Sequence, residues 1–166
     1  MKAAVLRAPN LLEVGDIATP EAGPGELILS IRASTVCGTD LRILSGKKTK
    51  GVRFPSIIGH EFSGVVVQAG DGVTAFKTGD HVCMDPVIPC RACNYCKAGL
   101  ENVCMNRQAM GYEFDGGFAE FVRIPAIALT SGNIFKMPEG MSFEAAALSE
   151  PLACCINGQK NAQVKL

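Results

Sequence analysis

Residues 26–36, Glu26-Leu27-Ile28-Leu29-Ser30-Ile31-Arg32-Ala33-Ser34-Thr35-Val36, carry a period of two. Leu27, Leu29 and Ile31 fall on one face of an extended chain, and Glu26, Ser30 and Arg32 fall mostly on the other. Successive side chains of a strand point to opposite faces, so this pattern predicts a half-buried β-strand. Pro24-Gly25 punctuates its start. Working outward, Lys2–Arg7 and Leu11–Ile17 are short apolar runs separated by the turn signal Ala8-Pro9-Asn10. Phe62–Ala69, His81–Met84 and Gly117–Ile124 are further strand candidates, the first two joined through glycines at 70, 72 and 79. Short strands at regular spacing with Gly/Pro turns predict a mainly β fold, a barrel or sandwich. After Pro138 the composition changes. Ser142 is placed to cap a helix with Glu144 in its first turn and Ala145-Ala146-Ala147-Leu148 behind it. Pro151 is expected to kink or break that helix. At Val164-Lys165-Leu166 a polar stretch begins to turn apolar.

The chain has 166 residues, 48% of them apolar, enough for one domain with a core. Its 16 basic and 16 acidic residues leave no net charge, and so no electrostatic case for nucleic acid or a membrane surface. No stretch approaches the roughly 18 apolar residues of a membrane span. The apolar run at Met1–Arg7 is too short for a secretory signal.

Cys90, Cys93, Cys96 and Cys104 are spaced C-x2-C-x2-C-x7-C. Structural zinc takes four thiolates at tetrahedral corners, and a short loop with this spacing can close every position around one ion. A closed site admits no substrate, so this cluster is expected to hold a loop together. Tight C-x2-C spacing favours thiolate ligands in a reducing compartment over disulfides, which points to the cytoplasm.

A second group offers an open site. Cys37 lies in Thr35-Val36-Cys37-Gly38-Thr39-Asp40, His60 and Glu61 follow Gly59, and Glu150 precedes Pro151. A catalytic zinc keeps three protein ligands and one free position, and a thiolate, an imidazole and a carboxylate make such a set. The remaining candidates are plainer. Lys47, Lys48, Lys50 and Arg53 form a basic loop that reads as solvated or as a contact for a substrate phosphate. His81 reads as a strand-entry residue. Cys83, Cys154 and Cys155 read as small core residues, with Cys154 one helical turn past Glu150.

Gly59-His60-Glu61-Phe62-Ser63-Gly64, followed by Gly70 and Val73, resembles the zinc-containing alcohol dehydrogenase signature. With Cys37-Gly38-Thr39-Asp40, the four-cysteine loop and Gly79-Asp80-His81-Val82, the chain resembles the medium-chain dehydrogenase/reductase superfamily over its whole length. The resemblance implies a GroES-like, partly open β-barrel with short helices and a C-terminal helix that would lead into a Rossmann domain. Residues 1–166 would then be the catalytic domain, a fragment lacking the Rossmann cofactor domain, since no G-x-G-x-x-G follows a strand. Such a fragment is expected to expose apolar surface where that domain packs.

The resemblance also implies roles. Cys37 and His60 match the two constant ligands of the catalytic zinc. Glu150 stands where ethanol-type enzymes have a third cysteine, which is similar to the polyol and threonine dehydrogenase branch. In those relatives Glu61 or Glu150 contacts zinc and the other bonds the zinc-bound water, and the sequence leaves that choice open. Thr39 matches the hydroxyl that passes the alcohol proton onward. Arg42 stands where many relatives have a proton-exit histidine, and it cannot be deprotonated. Threonine dehydrogenases usually carry a tryptophan in the following loop, and this chain has none. The implied enzyme oxidises a secondary alcohol or polyol to a ketone, through an alkoxide at zinc and hydride transfer to NAD or NADP on the absent domain. It uses two zinc ions per chain, one catalytic and one structural, and forms a homo-oligomer at full length. The alternatives are a threonine dehydrogenase-like enzyme, a sugar-alcohol phosphate dehydrogenase, or an inactive zinc-binding module.

Overall fold

The structure is a computed structural model that describes residues 1–164, so Lys165 and Leu166, where the sequence turns apolar, lie outside the described residues. It is mostly antiparallel sheet with a few short helices, and among the described residues the strands do not close into a barrel. The strand read from residues 26–36 is β3, an interior strand of a five-stranded sheet. In chain order the elements are β1 (Lys2–Ala8), β2 (Leu11–Asp16), β3 (Leu27–Thr35), α1 (Gly38–Leu44), β4 (Ser56–Ile57), β5 (Glu61–Ala69), β6 (His81–Met84) and β7 (Val87–Ile88). They continue with α2 (Asn94–Lys97), β8 (Gln108–Ala109), β9 (Phe121–Ile124), α3 (Ala126–Thr130), β10 (Ile134–Lys136), α4 (Phe143–Ala147) and α5 (Ser149–Asn161). The five-stranded sheet runs β10-β6-β5-β3-β9, a three-stranded sheet runs β2-β1-β4, and β7 pairs with β8.

Leu27 and Leu29 of β3 are buried with Phe62, Val66, Val82, Met84, Val122 and Ile124 from its sheet neighbours. This is the main core. Ile28, on the other side of the alternation, is buried as well and Ile31 only partly, so the start of β3 is covered on both faces and the half-buried reading holds only in part. A smaller cluster joins Leu6 of β1, Ile43 of α1 and Ile58, and so pins α1 against the three-stranded sheet. β3 and β5 pair antiparallel from Leu27↔Ala69 to Thr35↔Glu61, with register shifts after Ile28 and after Ile31. Such bulges bend the pair and raise its twist.

Three expectations need correction. The strand foreseen at Gly117–Ile124 begins only at Phe121. Residues 116–120 are spent crossing between sheets: Gly117 N–H donates to the Gly59 carbonyl, Ala4 N–H to Phe118, and Glu120 N–H to Lys2. A Cβ on Gly116 would sit 2.0 Å from the Gly59 oxygen, so only glycine allows that approach. Ser142 does cap α4, its Oγ accepting Ala145 N–H at 3.2 Å, but the break comes at Leu148 and not at Pro151. Proline clashes with the carbonyl four residues back, here Ala147, where α4 ends. Pro151 itself sits in the first turn of α5, where its missing N–H costs little. Cys154 and Cys155 are exposed and are not core residues, because no residue of α5 is buried. Its Leu152 and Ile156, with Leu148, form exposed apolar surface. Among the described residues no helix is long and apolar enough to cross a membrane.

Candidate metal centre and active site

The end of the β3–β5 ladder builds the site. Thr35 pairs with Glu61 as the last register position, so Cys37, two residues on, is brought beside His60. Ligand atoms of Cys37, His60 and Glu61 all lie within 4.8 Å of one another. Gly59 holds a left-handed φ of +93°, and a Cβ there would meet the Phe118 ring at 2.6 Å. A glycine is therefore required at the turn that delivers His60.

Each of the three is held from behind. Cys37 is the N-cap of α1, and its N–H donates to Asp40 Oδ2 at 2.9 Å. The other Asp40 oxygen, Oδ1, faces His60 Nδ1 at 3.4 Å, with both side chains buried. A carboxylate behind a histidine fixes the ring and leaves its second nitrogen as the donor. Burial works against the charged imidazole, but the Asp40 carboxylate and the Cys37 sulfur outweigh it, and His60 is raised to about 9. Thr35 Oγ1 donates to Glu61 Oε2, which leaves Oε1 as that carboxylate's open oxygen. Asp40 and Thr35 had no ligand role in the sequence pattern. The one signal was their place in the Thr35–Asp40 segment around Cys37.

A cavity of about 600 Å³ opens over these residues, and Thr39, Glu150 and Tyr112 also line it. Glu150 stands outside the three-residue cluster, with its Oε1 accepting from the Cys154 thiol at 3.5 Å. Cys155 reaches the same cavity, and so do Lys48 and Lys50 of the basic loop, whereas Lys47 and Arg53 do not. Arg42 lies exposed on α1, away from it. His81 opens β6 as read, its ring 4.8 Å from that of Phe143.

The four cysteines form a separate cluster with all four sulfurs within 4.8 Å. Cys93 and Cys96 are 3.6 Å apart, Cys93 and Cys104 3.9 Å, and Cys90 and Cys96 4.0 Å. A tetrahedron with zinc–sulfur bonds of about 2.3 Å has edges of about 3.8 Å, so the cage has the size of a tetrathiolate site. All eight cysteines are free. The amides of Cys96 and Met105 point at Cys93 and lower its thiol to about 6. Asn133, buried behind the loop, donates to the carbonyls of Asp85 and Val87 at 3.0 and 2.9 Å and fastens the loop's entry to the strand β10.

The family model described as the alcohol dehydrogenase GroES-like domain matches residues 23–138, most of the chain. The chain belongs to the alcohol dehydrogenase GroES-like family. Within it, the chain is 38% identical over 151 residues to a D-altritol 5-dehydrogenase of Agrobacterium fabrum, covering 91% of this chain and 43% of that one. It is 37% identical over 147 residues to an L-threonine 3-dehydrogenase of Pyrococcus furiosus, covering 87% and 41%. Among solved structures it is similar to a protein of Sinorhizobium meliloti described as a zinc-binding dehydrogenase bound to NADP. That match has a TM-score of 0.87 at 37% identity and covers 96% of this chain and 44% of the other. This GroES-like chain thus spans less than half the length of the relatives it matches.

Proposed function

We propose that the chain is the catalytic half of a zinc-dependent, NAD(P)-linked alcohol or polyol dehydrogenase that oxidises a secondary alcohol to a ketone. The observation that carries this reading is the meeting of Cys37, His60 and Glu61 within 4.8 Å beneath a cavity, separate from the four-cysteine cage. The donor set fits a metal: a thiolate, an imidazole and a carboxylate leave one tetrahedral corner for a substrate oxygen. Among the described residues the buried Asp40 Oδ1 and His60 Nδ1 have no other partner than each other, as expected of a ligand and the group behind it. A zinc ion held there would supply Lewis-acid stabilisation of negative charge on the alcohol oxygen.

The residues of this chain then divide the work. Asp40 orients His60, and Thr35 holds Glu61 by one oxygen. Glu61 is the third protein donor, since it shares the cluster that Glu150 does not join. Glu150 faces the same cavity and is placed to hydrogen-bond whatever occupies the open corner. The Thr39 hydroxyl lines the cavity and takes the alcohol's proton. Arg42 lies outside the cavity and cannot be deprotonated, so Thr39 would pass that proton on towards solvent. The nicotinamide is bound by the remaining half of the full-length enzyme, which packs on the apolar face of Leu148, Leu152 and Ile156. That enzyme is a cytoplasmic homo-oligomer. A threonine dehydrogenase is the second reading, favoured by the Pyrococcus relative at almost equal identity.

Zinc per chain by elemental analysis, for the native chain and Cys37→Ala together, tests the proposal. Two ions falling to one is the expected result. One ion in both proteins would overturn the open-site assignment.

A further inference from the structure

The cavity over Cys37, His60 and Glu61 is lined by three basic side chains that the chemistry above leaves unused. Lys48 and Lys50 reach it from the loop between α1 and β4, and Arg107 from the loop that follows the cysteine cage. Among the described residues none of the three pairs with an acid, although their neighbour Arg53 pairs with Asp115 at 3.0 Å. Three acids line the same cavity, so the cations are unpaired without being in excess, and each acid accepts from a neutral donor: Glu61 from Thr35, Glu113 from Ala109 N–H at 2.9 Å, and Glu150 from the Cys154 thiol.

Lys48 is half-buried, with Nζ 5.2 Å from the centre of the Tyr112 ring. That ring in turn lies 5.9 Å from the imidazole of His60, so one aromatic width separates the ammonium from the metal cluster. The ring face offsets part of the cost of burying the cation. Arg107 is steadied by donating to the Cys104 carbonyl at 3.4 Å, with other guanidinium donors still available. Ammonium and guanidinium groups donate and do not accept. A neutral polyol, whose hydroxyls do both, would use such a trio poorly, whereas the oxygens of one anionic group would use all of it.

Resting on the dehydrogenase reading above, we propose that the alcohol oxidised at Cys37, His60 and Glu61 carries a terminal anionic group, a carboxylate or a phosphate, held by Lys48, Lys50 and Arg107. The reacting hydroxyl and the anion then sit several carbons apart, with Tyr112 packed between their two subsites.

Calorimetric titration of the zinc-loaded chain with sorbitol, gluconate and sorbitol 6-phosphate tests this. At least tenfold tighter binding of one anionic probe than of sorbitol is expected, and the tighter of the two identifies carboxylate or phosphate. That preference should shrink to within about twofold in Lys48→Gln and in Arg107→Gln and should weaken with salt. Zinc content unchanged in both variants shows that they fold. Equal binding of all three probes, no binding of any, or a preference that survives both substitutions overturns the inference. The dehydrogenase reading fails separately, through zinc content that does not fall in Cys37→Ala.

Discussion

Asp40 Oδ1 stands 3.4 Å from Nδ1 of His60, and among the described residues neither buried atom has another partner. The same carboxylate receives the backbone N–H of Cys37 through its second oxygen. One buried acid therefore couples two residues of the proposed metal site, one through its backbone and one through its ring.

Removing that charge should loosen the metal. Asp40→Asn keeps the shape of the side chain but not the attraction for the imidazole N–H. Substitutions behind a metal ligand typically cost ten- to a hundredfold in metal affinity. Chelator competition should find that loss at the Cys37 site and none at the cysteine cage. Equal zinc retention at both sites would sink the role given to Asp40.

The same pair sets a pH dependence for protein that carries zinc only in the cage. His60 is raised from 6.5 to about 9, so the folded state holds its proton more tightly than the unfolded state. The stabilisation from this pair is fully present below pH 6.5 and is lost as pH rises through about 9. Zinc must displace that proton, so affinity at the open site should climb with pH up to about 9. Denaturant midpoints and zinc titrations at pH 6, 7.5 and 9.5 check both slopes. Slopes that stay the same in Asp40→Asn would contradict the assignment to this pair.

Thr35 is expected to act through Glu61. In Thr35→Val the carboxylate loses a hydroxyl donor, a bond to a charged group worth about 1.5–3 kcal/mol. Zinc at the open site should weaken about tenfold or more, while Thr35→Ser should bind as the native chain does. Cobalt(II) substitution gives an independent readout. Its visible spectrum should change in Thr35→Val, and an unaltered spectrum would leave Thr35 as a structural residue alone.

Cys93→Ser should open the cage. The variant should lose one zinc and melt lower, by roughly 2–4 °C for each kcal/mol of stability lost. Chelator treatment of the native chain should lower its midpoint to a similar degree. Unchanged melting and zinc content in the variant would mean that the four sulfurs hold no ion.

How much of this was legible in sequence depends on how far apart the cooperating residues lie. The β character of the chain could be read because the alternation of Leu27, Leu29 and Ile31 is local and its period is unambiguous. The four-cysteine cage was legible for the same reason, since its ligands lie within one short loop whose spacing limits the geometry. The two-residue strands β4, β7 and β8 carry no period at all and are set by their neighbours. Pro151 was legible as a break, but its exact place followed from the clash four residues upstream, at the end of α4.

Sequence alone determined which residue types were available: a thiol at 37, an imidazole at 60, carboxylates at 61 and 150, and a closed set of four cysteines. Only the tertiary structure decided which of them meet. The antiparallel register Thr35↔Glu61 brings Cys37 to His60 and sets Thr35 against Glu61, while Glu150 comes to the cavity from a separate helix and stays outside the cluster. Packing of Ile43 against Leu6 and Ile58 holds α1 where Asp40 can reach His60. Lys48 and Arg107 reach one cavity from loops far apart in the chain. Register and packing are collective properties of strands and helices that find one another late in sequence, so no local pattern could announce them.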